Sequence, residues 1–165
     1  MRLRALTPES YRPYGDVIAA AGGSKDANMG TARRWDFLTP LVNKRGRAKP
    51  NLCVFRCAPY KGRTFPVRLL ERHKHSTQVF LPLAGAGRAL VIVARGGDKP
   101  DLSTLAAFVL EGARGVSYHP GVWHHPMVAL GRASDLACLV WEDGSAGDCE
   151  VFPLAAGLRP SITLR

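Results

Sequence analysis

Long apolar runs are missing from this chain. Segments such as Ala89 to Ala94 fall far short of the ~20 residues a membrane helix needs, which excludes a helical span. The start, Met1-Arg2-Leu3-Arg4-Ala5, has basic residues with no apolar core behind them, so no secretory signal is expected and a cytoplasmic location follows. Cysteine is scarce: the four present (Cys53, Cys57, Cys138, Cys149) make no C-x-x-C pair. Cys53 and Cys57 share a strand face but lie too far apart to bridge, so free thiols are expected and a zinc or redox centre is not. Acidic residues are few early on. Residues 1–70 hold 14 Lys/Arg against Glu9, Asp16, Asp26 and Asp36, whereas residues 71–165 hold nine of each sign, so the whole net charge of +10 comes from the first part. Its densest run, Lys44-Arg45-Gly46-Arg47-Ala48-Lys49, lacks a recognition helix, an RNP-like aromatic pattern or a zinc knuckle beside it. That favours a solvated loop over a nucleic-acid grip, and a positive field also draws in a small anionic substrate. Linkers, low-complexity tracts and internal repeats are absent as well, and 165 residues suit one domain, 1–165.

What is present is a series of short strand-like segments. Leu52–Cys57, Pro66–Arg72, Thr77–Leu83, Ala89–Ala94, Ala106–Leu110, Val116–Tyr118, Pro126–Leu130 and Asp135–Trp141 follow one another at intervals near ten residues, most of them separated by Gly, Pro or Asp breakers. Asp16–Ala20 and Cys149–Leu154 add candidates at the two ends. Helical signals are brief. Thr7-Pro8-Glu9 reads as a capped first turn, and Asp101 as a cap for Leu102-Ser103-Thr104. Asn28–Phe37 has no clear period and reads as a polar-aromatic stretch lying against a pocket. Short strands without alternating long helices predict an all-β antiparallel sandwich or barrel.

Two polar clusters interrupt this pattern. In Tyr118-His119-Pro120-Gly121-Val122-Trp123-His124-His125-Pro126, Pro-Gly predicts a tight turn that re-aims neighbouring imidazoles. By itself this window also fits a tryptophan-anchored core turn with histidines on its rim. The other cluster is Glu71-Arg72-His73-Lys74-His75-Ser76-Thr77-Gln78. Glu71, His73 and His75 alternate and share a strand face. Carboxylate, imidazole and amide together suit a divalent transition ion, with His124 closing the set from an opposite strand. The plainer alternative leaves His75 and Lys74 in solvent and pairs Glu71 with an arginine.

His73-x-His75, Gln78, Gly85 and Pro120-Gly121-x-x-His124 resemble the two motifs of the cupin superfamily, whose fold is a double-stranded β-helix or jelly-roll barrel. The chain departs from that pattern: with Gln78 in the usual Glu place, the preceding ligand positions fall on Glu71 and His73, leaving His75 outside. Glu71-Arg72-His73, Thr77-Gln78-x-Phe80-x-Pro82, Asp98–Leu105, Gly115–Pro126, Tyr14–Ile18 and Asn28-x-Gly30 with Arg34 resemble the ureidoglycolate lyase family, formerly ureidoglycolate hydrolases. The resemblance implies cleavage of (S)-ureidoglycolate to glyoxylate and urea in allantoin degradation. It also implies a homodimer and a divalent ion, Ni²⁺, held by Glu71, His73, Gln78 and His124. In that scheme Glu71, His73 and His124 carry the chemistry. Gln78 binds the urea amide, Tyr118 contacts substrate, and Arg34 or Arg72 clamps the carboxylate. A different-substrate cupin (isomerase or dioxygenase) and a nucleic-acid-binding regulator are the alternatives.

Overall fold

The computed structural model describes residues 1–164. The chain opens with one helical turn, Pro8–Tyr11, where Thr7 and Ser10 form a reciprocal capping box and Pro8 takes the first turn. Strands follow in the order β1 (Val17–Ile18), β2 (Lys25–Ala27), β3 (Ala32–Arg34), β4 (Lys49–Cys57), β5 (Pro59–Tyr60), β6 (Thr64–Pro66), β7 (Leu69–Arg72) and β8 (Gln78–Pro82). Then come β9 (Arg88–Ala94), β10 (Ala106–Leu110), β11 (Gly115–Tyr118), β12 (Trp123–His124), β13 (Val128–Leu130), β14 (Ser134–Glu142), β15 (Glu150–Pro153) and β16 (Ser161–Thr163). No helix among the described residues is long and apolar enough to cross a membrane.

Two sheets face each other. One runs β1-β11-β8-β14-β4; the other runs β15-β7-β12-β9-β13-β5 with β10 also paired to β9. Neither ladder closes on itself, so the expected barrel is a sandwich of two open sheets. Between them Phe80, Val91, Val93, Phe108, Val116, Tyr118 and Leu136 form the central core, with Tyr11 and Tyr14 at one end.

The seven-stranded sheet has a second core on its other face. Alternate residues of β9 serve the two sides: Ala89, Val91 and Val93 point to the central core, Leu90, Ile92 and Ala94 to the outer one. Continuous apolar sequence in this strand follows from burial on both faces. The two-stranded antiparallel sheet of β6 and β16, with Phe65 and Ile162, helps cover that side, joined by Val67, Leu105, Trp123 and Leu154. The five-stranded sheet has no such cover over the far side of β4: Leu52 is 75% and Val54 58% exposed.

Strand expectations hold for the long elements. Pro66–Arg72 is split into β6 and β7, and β12 is a two-residue strand the sequence pattern does not announce. Asn28–Phe37 begins with the 3-10 turn of the β2–β3 hairpin and continues through β3, and Trp35, Phe37 and Leu38 then wall a hollow of about 690 Å³ with Ile18 and Leu81.

Candidate active site

The Pro120-Gly121 turn forms as expected. Gly121 has φ of +83°, which a residue with a Cβ resists, and Val122 N–H bonds the His119 carbonyl at 3.1 Å to close it. Gly121 N–H also donates to the His73 carbonyl at 2.9 Å, stapling the second polar cluster to the first. The chain then enters β12, where alternation sends Trp123 to the outer core and His124 to the interior. His124 lies opposite Glu71 in register. On β7 the same alternation points Glu71 inward and Arg72 outward, where its guanidinium lies 4.4 Å from the Trp123 ring centre.

Glu71, His73 and His124 meet. Each offers one ligand atom, and all three atoms lie within 4.8 Å of one another. His73 and His124 stack with ring centres 5.6 Å apart, and Tyr118 lies flat on the far side of His124 at 4.1 Å. Both imidazoles have a fixed tautomer. His124 Nδ1 is 2.9 Å from the Val122 carbonyl and His73 Nδ1 is 2.7 Å from the Asp148 carbonyl. A carbonyl only accepts, so each Nδ1 carries the proton and each Nε2 keeps a lone pair. His124 Nε2 is buried, has no hydrogen-bond partner among the described residues and faces Glu71 Oε1 at 3.7 Å. Two acceptors facing each other in a buried place leave room for a proton or a cation between them.

Electrostatics follow from burial. Loss of solvent holds the His124 imidazole down to about 3, with His73 adding to the effect, and it lowers His73 as well. It raises the Glu71 carboxyl from its usual range, opposed by the Cys149 thiol donating toward Oε2 at 3.8 Å. The site is built to present neutral imidazoles.

Gln78 is buried on β8 opposite Tyr118, so both point to the interior, and its Oε1 has no partner. Tyr118 is brought in through its ring; its hydroxyl donates to Met127 Sδ. The two arginines stand apart. Arg72 is occupied by Glu150 Oε2 at 2.7 Å, the Gly97 carbonyl and Trp123. Arg34 lies on the β2–β3 hairpin, 70% exposed, and pairs with Asp36 at 2.6 Å. His119 sits at the surface beside Asp16, His125 packs edge-on against Phe65, and His75 lends its carbonyl to Lys44 N–H. The basic run is not a solvated loop throughout: the Arg45 side chain is only 15% exposed and pairs with Asp148 and Asp143. Asp148 and Cys149 are contacts that sequence reasoning missed. Polar residues directly before the final sheet strand are the one signal that pointed to them.

The sequence model of the ureidoglycolate lyase family matches residues 1–160. The chain belongs to this family. A ureidoglycolate lyase of Burkholderia cepacia is 39% identical over 158 residues, 93% of this chain and 86% of that protein. Those of Escherichia coli (36% over 154 residues, 92% of each) and Pseudomonas aeruginosa (34% over 151 residues, 91% of this chain and 88% of that one) are similar in extent. Among solved structures, a dTDP sugar isomerase from Desulfovibrio desulfuricans superposes with a TM-score of 0.51 at 19% identity, covering 88% of this chain and 85% of that one. That likeness establishes the cupin fold and nothing about substrate. The family makes the chain a lyase by descent.

Proposed function

We propose that this protein cleaves (S)-ureidoglycolate to glyoxylate and urea. The observation that supports this most is the convergence of Glu71, His73 and His124, whose ligand atoms lie within 4.8 Å of one another, in a chain of this family. The substrate's central carbon bears a hydroxyl, a carboxylate and the ureido nitrogen. Removing the hydroxyl proton turns that oxygen into the aldehyde carbonyl of glyoxylate, the carbon–nitrogen bond breaks, and the nitrogen takes a proton as urea departs. Glu71, its affinity for protons raised by burial, takes the proton and returns it to the leaving nitrogen. His73 and His124 stay neutral, so their Nε2 atoms present lone pairs that accept from the carbinol hydroxyl or ligate a cation. The Gln78 carboxamide, its Oε1 without a partner among the described residues, offers an acceptor for the N–H groups of urea. Tyr118 keeps the His124 ring from turning. Arg72, directly between Glu71 and His73 in sequence, supplies positive potential for the substrate's carboxylate rather than a direct clamp, since its donors are engaged.

The donor set fits a divalent transition ion: Glu71, His73 and His124 would hold it, with Gln78 as a further oxygen donor, and Ni²⁺ is the ion proposed. Bound there, it would polarise the carbinol oxygen as a Lewis acid. Product analysis tests the reaction. Ureidoglycolate should yield urea and glyoxylate in equal amounts without ammonia, and release of ammonia instead would make the protein an amidohydrolase.

The proposal includes a homodimer in a reducing compartment, the cytoplasm. Free thiols at all four cysteines support the compartment. The far face of β4 supports the dimer: Leu52 and Val54 are exposed on an edge strand nine residues long, whose free backbone groups a second copy related by a two-fold axis can pair. Leu52→Glu should shift the sedimenting species to monomer; an unchanged dimer would place the interface elsewhere.

A further inference from the structure

Where the chain enters β15, Asp148, Cys149 and Glu150 address three neighbouring residues at the end of β7: His73, Glu71 and Arg72. The Asp148 carbonyl receives His73 Nδ1–H at 2.7 Å, the Cys149 thiol donates to Glu71 Oε2 at 3.8 Å, and Glu150 holds Arg72. Asp148 itself is fixed from two sides. Its carboxylate accepts Asp143 N–H at 2.9 Å and Gly144 N–H at 2.7 Å, which folds residues 143–148 into a closed loop. Arg45 closes the other side, with Nη2 at 2.6 Å from Asp148 Oδ1 and 3.0 Å from the Trp141 carbonyl, and Nη1 at 3.2 Å from Asp143. The backbone next to Arg45 is tied to the residues just past His73, since Lys44 N–H donates to the His75 carbonyl at 2.9 Å and Thr77 N–H to that of Val42 at 3.0 Å. Arg45 therefore spans the chain that carries His73 and the loop whose carbonyl sets the His73 ring.

We infer that Arg45 and Cys149 are positioning residues. Arg45, acting through Asp148, fixes the tautomer and tilt of His73, and Cys149 holds Glu71 Oε2 so that Oε1 faces His124. This deepens the proposed lyase reading and rests on it for the meaning of turnover. Bidentate geometry matters at Arg45, because lysine has a point charge that reaches one acceptor at a time. At Cys149 a donor is required, and serine supplies one.

Two variant pairs test this: Arg45→Met with Arg45→Lys, and Cys149→Ala with Cys149→Ser. Each is compared with wild type by ¹⁵N-detected NMR of the imidazoles in metal-free protein, by Ni²⁺ titration calorimetry, and by kcat and KM. Arg45→Met is expected to lose the slowly exchanging His73 Nδ1–H signal, weaken Ni²⁺ binding by ~10–100-fold and lower kcat with little change in KM. Arg45→Lys should recover only part. Cys149→Ala should weaken Ni²⁺ and kcat by several-fold, and Cys149→Ser should restore both. An Arg45→Met protein that melts earlier yet keeps the His73 signal and Ni²⁺ affinity within twofold would reduce Arg45 to a structural residue. If Arg45→Met does not fold, Arg45→Lys decides for Arg45, where an unchanged His73 signal and Ni²⁺ affinity overturn its role; for Cys149, equal losses in alanine and serine, or none in either, overturn the assignment. Because the NMR and calorimetric readouts involve no ureidoglycolate, a wild type that fails to release urea would sink the lyase reading and leave this inference standing.

Discussion

The two sheets differ in what covers them. The seven-stranded sheet is apolar on both faces and buried on both; Glu71 and His124 lie on it, and His73 directly follows its strand β7. The five-stranded sheet shares the central core, contributes Gln78 and Tyr118, and leaves Leu52 and Val54 bare on its far side. Doubly packed strands cannot shift without opening two cores, so side chains on them are held in fixed geometry. The sheet with a bare face is the one free to meet another surface.

The largest effect that would sharpen this contrast is on turnover. His124→Ala should lower kcat by about 10²–10⁴-fold while leaving the secondary structure intact; near-normal activity would remove His124 from the chemistry. Stripping divalent ions with a chelator should lower activity nearly as much, with added Ni²⁺ restoring it, and full activity in metal-free protein would reject the ion. Stability separates the sheets next. Ile92→Ala, in the outer core of the doubly covered sheet, should cost about 2–5 kcal/mol by urea unfolding, whereas Val54→Ala should stay within about 0.5 kcal/mol of wild type. Equal costs at the two positions would break the comparison.

The smallest effect is set by pH. His124 is held down to about 3 when folded against about 6.5 when unfolded, so the unfolded chain binds the extra proton in that window. Its contribution is complete above pH 6.5 and is lost as pH falls toward the folded value. Going from pH 7 to 5.5 in metal-free protein should cost about 1 kcal/mol through this residue. Glu71, shifted the other way, opposes this only above its ordinary range. A His124→Gln protein with the same acid slope as wild type would assign the loss to other groups.

Much of the fold is legible because alternation and turn residues report local preferences, and β10 falls on the residues that pattern marks. β12 escapes because two residues carry no period; it exists because β7 and β9 flank it. At the site, Glu71, His73 and His124 are legible from residue type and spacing. The arginines are not. A sequence shows a guanidinium but not the Glu150 and Gly97 that occupy Arg72, nor the Asp36 that holds Arg34. The role of Arg45 hides for the same reason, since Asp148 is 103 positions away.

The bond from His73 to the Asp148 carbonyl spans 75 positions, which makes the hollow a late event in the life of a nascent chain. While the ribosome is still adding residues beyond 124, all three converging side chains have been made, yet the groups that aim two of them have not. Non-local contacts of this kind form last and slowly. A chain stalled short of Asp148 would keep the His124 ring set by Val122 and leave the His73 ring without its partner.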